Sequence, residues 1–137
     1  MPVSITLMDA ERRVVLTTSN DARSSQVADV IILAISERPE LRLWDWIQDL
    51  RQGCEDASIA DVDRLVSVFA AVNQPQACTV FVTHDRNMSM WARVMDHQFK
   101  NRRHWVVATL EAADELLSEY RSGTSGRNTS HAFTWEA

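Results

Sequence analysis

Ser58-Ile-Ala-Asp-Val-Asp-Arg-Leu-Val-Ser-Val-Phe-Ala-Ala-Val72, stopped by Asn73-Gln74-Pro75 and followed by Cys78-Thr-Val-Phe-Val-Thr83, decides the fold. In the first segment Ile59, Val62, Leu65, Val66, Phe69 and Val72 recur at helical spacing and form one broad apolar stripe. The Ser58 hydroxyl can accept from the third following amide, and Asp61 can answer back, a capping box with Asp in place of Glu. The second segment is a compact Val/Phe/Thr run, as expected of a central strand. A helix leading directly into such a strand is half of a parallel α/β unit.

The same alternation extends in both directions. Upstream, Leu41 to Ile47 alternates in part, with Trp44 and Trp46 on one side and Leu43, Asp45 and Ile47 on the other. This predicts an interior parallel strand that is apolar on both faces and ends at Gln48-Asp49. Before it, Val27, Ile31, Ala34 and Ile35 make a helical stripe at about 25–37, with Ser24 or Ser25 as cap and Pro39 beyond its end. Ser4–Met8 and Arg13–Thr18 read as two strands of an antiparallel hairpin around Asp9-Ala10-Glu11. Downstream, Met88, Trp91, Ala92, Met95 and Phe99 predict a helix opened by Asn87. Lys100, Arg102 and Arg103 are placed at its C-terminal end, where the helix field favours positive charge. Trp105 to Thr109 reads as the last strand. Leu110, Ala113, Leu116, Leu117 and Tyr120 read as the last helix.

The expected order is β-β-α-β-α-β-α-β-α. Strands joined by single helices run parallel, so the sequence predicts an α/β fold with a five-stranded mixed sheet and four helices. The first strand is antiparallel at the edge and the rest are parallel. Residues 1–121 form a single domain in this reading. Ser122 to Ala137 has the Gly/Ser/Thr/Asn composition of a mobile tail, and Phe133 and Trp135 at its end can dock back or meet a partner.

Bulk properties exclude several function classes. A chain of 137 residues, 45% apolar, suits one core. The net charge of -5 and the scattered basic residues argue against nucleic acid. Two cysteines, Cys54 and Cys78, make no disulfide framework and fit a reducing, cytoplasmic setting. The N-terminus lacks a signal-peptide pattern, and the longest apolar run, Val30 to Ile35, is too short for a membrane span.

Motifs for catalysis are not found. There is no GxSxG elbow for a serine hydrolase, and Gly123-Thr-Ser-Gly126 lies in the tail. Gly53 is the only glycine placed to shape a phosphate loop. His84, His97, His104 and His131 make no HExxH pair, and His97 and His104 read as surface or helix-end histidines. No catalytic residue, metal or cofactor is expected. The expected ligand or partner surface comprises Trp44, Trp46, Asp49, His84 and Asp85. His84 and Asp85 follow a strand's C-terminal end, where binding groups gather in parallel sheets. The plainer reading of that pair is a polar loop with a helix cap. Trp44 and Trp46 line a pocket or a self-association surface if their face of the sheet is open; the plainer reading is core.

The element order resembles the SpoIIAA-like superfamily, which includes STAS domains, in its bacterial stand-alone branch. The resemblance rests on the opening pair Ile5–Met8 and Arg13–Thr18, on Leu43–Asp49 followed by a polar loop and Ser58-Ile-Ala-Asp61, on Cys78–Thr83 before Trp91-Ala-Arg-Val-Met95, and on Trp105-Val-Val-Ala-Thr-Leu-Glu-Ala-Ala113. Family members that control sigma factors carry a phosphorylatable serine in an Asp-x-Ser-Gly-like turn. This chain has Gln48-Asp49-Leu50-Arg51-Gln52-Gly53 instead. Ser58 holds the structural place without the motif, so it is the candidate phosphosite, and its plainer role is a helix cap. The resemblance implies a non-enzymatic regulatory or protein-interaction module, self-association included. A carrier of a small apolar or lipid-like ligand is the alternative, because related members are likened to Sec14-type lipid-binding folds.

Overall fold

A computed structural model describes residues 2–54, 56–70 and 76–124. Among them are five strands and four α-helices: β1 (Val3–Met8), β2 (Arg13–Thr18), α1 (Ser24–Glu37), β3 (Asp45–Asp49), α2 (Ile59–Phe69), β4 (Ala77–Val82), α3 (Asn87–Gln98), β5 (Arg102–Val107) and α4 (Leu110–Thr124). The strands lie in sequence order across one sheet. β1 pairs antiparallel with β2, and every later pair is parallel. The fold class and order read from the sequence are those observed.

The strand order fixes where the helices go. Parallel crossovers are right-handed, and here each one steps in the same direction across the sheet. All three crossover helices therefore fall on one face. Val14, Leu16, Trp46 and Phe81 meet α1, α2 and α3 there in the larger core. α4 follows the last strand and returns under the opposite face. Its Ala113, Leu117 and Tyr120 pack against Ile47, Cys78, Val80, Val82 and Trp105. Toward β1 that second face turns polar and exposed, at Ser4, Thr6 and Thr17.

Two segments differ from the sequence reading. Pro39–Leu43 forms a 3₁₀ turn, and β3 begins only at Asp45. Trp44 therefore stands just ahead of the strand and does not share its face with Trp46 as a strand neighbour. The reason is side-chain hydrogen bonding, one local bond and two long-range ones. The Trp46 indole N–H donates to the Leu41 carbonyl (2.9 Å). The Arg102 guanidinium donates to the Arg42 and Trp44 carbonyls (2.9 and 2.7 Å). Carbonyls that a sheet ladder would use are satisfied by side chains instead.

The second difference is at β5. It starts at Arg102, so Arg102, Arg103 and His104 belong to a strand and do not follow α3 as a basic helix end. α3 stops at Gln98, and Lys100 lies in the turn between. Ser24 is the first residue of α1 rather than its cap. Its amide donates to Asp56 from the β3–α2 loop (2.8 Å). The helix stop at Asn73-Gln74-Pro75 and the tail features from Ser125 onward, His131, Phe133 and Trp135 among them, lie outside the described residues. α4 itself runs two residues past Ser122, to Thr124.

Candidate functional site

Three parallel strands end beside the start of a helix, and their loops are tied together. Gly53 has φ +78, and a Cβ there would come within 2.3 Å of the Ser19 carbonyl, so only glycine lets the β3–α2 loop approach the β2–α1 loop this closely. The Cys54 amide then donates to the Ala22 carbonyl (2.8 Å). Thr18 Oγ donates to the Asp49 and Gln52 carbonyls. This stitching fixes the entrance to α2.

The sequence-predicted residues separate into two places. His84 and Asp85 line an open polar groove at the C-terminal rim of the sheet with Arg51, Gly53 and Asn87; Asp49 at the end of β3 does not line it and reaches it only through its ion pair with Arg51. Most of the groove's polar capacity is used locally. Arg51 binds Asp49 through two nitrogens (2.9 and 2.8 Å) and holds that carboxyl below its ordinary range. Asp85 accepts from the Asn87 amide, and Thr83 Oγ accepts from the Asp85 amide, so this turn caps α3. His84 is exposed.

Trp44 and Trp46 lie in the core under the helices. Trp46 is fully buried and meets Phe69 edge-on at 5.7 Å. Trp44 is 5% exposed, with the Arg38 guanidinium 5.3 Å from its ring centre. Neither faces an open side of the sheet. Ser58 caps α2, accepting from the Asp61 amide (3.3 Å) and donating to the Asp61 carboxylate (3.1 Å).

A cleft that sequence reasoning did not find runs between α2 and α3. α2 packs chiefly on α1, and α3 packs chiefly on β5. The space between them encloses about 530 Å³ when its solvent-filled mouth is included. The cavity proper is about 40 Å³, enough for about three water molecules. Val62, Leu65 and Phe69 of α2, Met88 and Met95 of α3, Phe81 and Phe99 form apolar walls, and Ser58, Asp61 and Cys54 stand among the polar lining residues.

Three polar side chains from adjacent strands make the sheet side of this cavity: Gln48 of β3, Thr79 of β4 and His104 of β5. Strand register puts Thr79 opposite His104, and Gln48 opposite Phe81, two residues along. Gln48 is 5% exposed. Among the described residues the Gln48 amide makes no hydrogen bond, and neither does the Ser24 hydroxyl, which also lines the cavity. The Gln48 amide is not one of the fully enclosed unpartnered side-chain atoms, such as Arg102 Nε, and so it opens on the cavity. Thr79 Oγ accepts from Arg102 (2.9 Å), which leaves the hydroxyl proton to donate.

His104 is gripped from behind. Asp96 Oδ1 accepts from the His104 backbone amide (2.7 Å) and meets Nδ1 at 3.1 Å. A carboxylate has no proton to give, so Nδ1 carries the ring proton and Nε2 keeps a lone pair. The ring lies between Phe81 (6.0 Å, stacked) and Phe99 (4.7 Å, edge-on). Burial pushes its pKa down, more than the Asp96 hydrogen bond raises it.

Arg102 closes the lower end of the row without lining the cavity. It is 3% exposed, and Phe69 covers its guanidinium at 4.5 Å. Burial holds its pKa down at about 10. The cleft offers no activated nucleophile. Ser58 is bonded to Asp61, and burial drives the Cys54 thiol up to about 12. Neither is hydrogen-bonded to His104. Both cysteines are free. Among the described residues no group of three or more His, Cys, Asp or Glu side chains could hold a metal, and no helix is long and apolar enough to cross a membrane.

Comparison with protein-family models, with curated proteins and with solved structures finds no match to this chain.

Proposed function

We propose that the protein is a non-enzymatic regulatory module that takes a small, mainly apolar ligand in the cleft between α2 and α3. The observation that carries this reading is the enclosed cavity itself, with apolar walls and the Gln48 amide opening on it with no protein partner among the described residues. A bound molecule can take up that hydrogen-bonding capacity. The methionines in the wall suit an adaptable site. The cavity as it stands is small, so a larger occupant enters by parting α2 from α3. α2 packs chiefly on α1 rather than on any strand, so that movement leaves the strand ladder intact.

Occupancy of the cleft would then shift the surface around the first turn of α2. Ile59 stands exposed there, with Leu33 of α1 and Met90 of α3 exposed on the same helical layer. A protein partner or a second copy reading that layer would sense the ligand. This joins the carrier and interaction roles in one device. Membership of the SpoIIAA-like superfamily, a cytoplasmic setting and phosphorylation of Ser58 belong to the same proposal. The element order and sheet support the first, and the free thiols support the second. Ser58 at the cleft mouth supports the third only by position, since Asp61 would repel a phosphoryl group.

The test is mass spectrometry of natively purified protein, followed by denaturation. The reading expects a mass above that of the bare chain and release of a small molecule. A bare-chain mass in every preparation, with no change at the cleft residues when small-molecule mixtures are added, contradicts it.

A further inference from the structure

The polar groups on the floor of the cleft are specific enough to define the chemistry of its occupant. Their hydrogen-bonding capacities are fixed by what stands behind them. His104 Nδ1 is committed to Asp96, so Nε2 can only accept. Thr79 Oγ already accepts from Arg102 and keeps its hydroxyl proton to donate. The Gln48 carboxamide can do both. Around them the lining is Leu65, Phe69, Phe81, Met95 and Phe99.

Charge is disfavoured from every side. Among the described residues no ionised side chain forms the floor. Asp61 at the mouth already accepts from Ser58 and faces Arg64 at 3.5 Å. The one nearby buried cation, Arg102, is covered by Phe69 and donates to three carbonyls and Thr79. An ion moved into such a wall would lose its hydration with no counter-charge in contact.

We propose that the cleft takes an uncharged molecule with an apolar body and one polar end that both donates and accepts hydrogen bonds, a hydroxyl or a carboxamide, seated over Thr79 between Gln48 and His104. The ligand's donor meets His104 Nε2, and its acceptor meets the Thr79 hydroxyl or the Gln48 amide. This assignment rests on the cleft being a ligand site, and the experiment separates the two claims.

Four probes with one body and different ends are titrated into the full chain and followed by two-dimensional NMR: toluene, benzyl alcohol, benzoate and benzylammonium. Benzyl alcohol is expected to bind about tenfold tighter than the other three, one hydrogen bond's worth of discrimination. It should also move the Gln48 side-chain amide signals. In Gln48→Leu the preference for the alcohol over toluene should shrink to what His104 and Thr79 supply, while toluene still binds. If that variant does not fold, the wild-type Gln48 signals decide, since they should move with the alcohol and stay with toluene. Equal binding of toluene and the alcohol, or tightest binding of either ion, overturns the assigned polar end and leaves the ligand site standing. Absence of shifts at the cleft with all four probes strikes the ligand site itself.

Discussion

The two faces of the sheet are built to different standards. Under α4 the contact is closed and apolar: Ile47, Cys78, Val80 and Val82 meet Ala113 and Leu117, all within 2% of full burial. Under α1, α2 and α3 the covering layer is thicker and contains more aromatic rings, yet it holds the cavity and the buried polar row Gln48, Thr79, His104 and Arg102. One helix packs more completely than three. A single helix can settle on its strip of sheet without regard to neighbours. Three helices on one face must also fit each other, and the structure leaves α2 and α3 apart. The difference teaches that close packing is most complete on the simple face, and that the elaborate face, which holds the larger core, gives some of it up where a site can form.

The comparison can be broken first on the closed face. Leu117→Ala removes a fully buried side chain from close packing and should cost about 3–5 kcal/mol in urea unfolding. A loss under about 1 kcal/mol would mean that this face is as loose as the other.

The next largest effect is pH-dependent and belongs to the cavity face. His104 has a folded pKa below its ordinary 6.5, chiefly through burial. The unfolded chain therefore binds the proton first. Stability is fully present above about pH 6.5 and is lost as the pH falls from there to the folded value. The slope reaches at most about 1.4 kcal/mol per pH unit for one proton. Unfolding measured between pH 7 and pH 5 should show this loss, and His104→Gln should flatten it. An unchanged slope in the variant would assign the acid sensitivity to other groups.

Much of the architecture was legible because it is local. The alternation of Arg13–Thr18 and Cys78–Thr83 and the stripe from Ile59 to Phe69 each record burial within a few residues. Ser58 and Asp61 carry a cap whose partners are three apart. What the sequence hid is long-range. Leu41-x-Leu43 and Trp44-x-Trp46 alternate as a strand does. They are drawn into a 3₁₀ turn by Trp46 and by Arg102, whose bonds to Trp44 and Arg42 span 58 and 60 residues. Arg102 likewise disguised the start of β5, since a buried arginine in a strand looks like a charged helix end until its carbonyl partners are known.

The candidate site divides in the same way. His84 and Asp85 follow β4, and proximity along the chain was enough to put them on one rim groove, while Asp49 closes β3 and lies outside that groove's lining. The cleft floor needed register. Thr79 is the one polar residue of β4, but Gln48 shares β3 with Asp45 and Asp49, and His104 shares β5 with Arg102 and Arg103, so the sequence does not single these three out. Only the alignment of three strands makes them neighbours, and only helix packing leaves a space above them.

The central claim is that the Gln48 amide opens on the cavity, committed to no described residue and free to meet a ligand. Urea unfolding of Gln48→Leu against the wild-type chain, both stripped of small molecules, tests it most directly. The account predicts that the variant is at least as stable as the wild-type chain, because no protein hydrogen bond is lost and an apolar group of similar size fills the wall. A variant less stable by about 1 kcal/mol would mean that the amide is already satisfied within the protein, and the cleft would lose its claim to be a site.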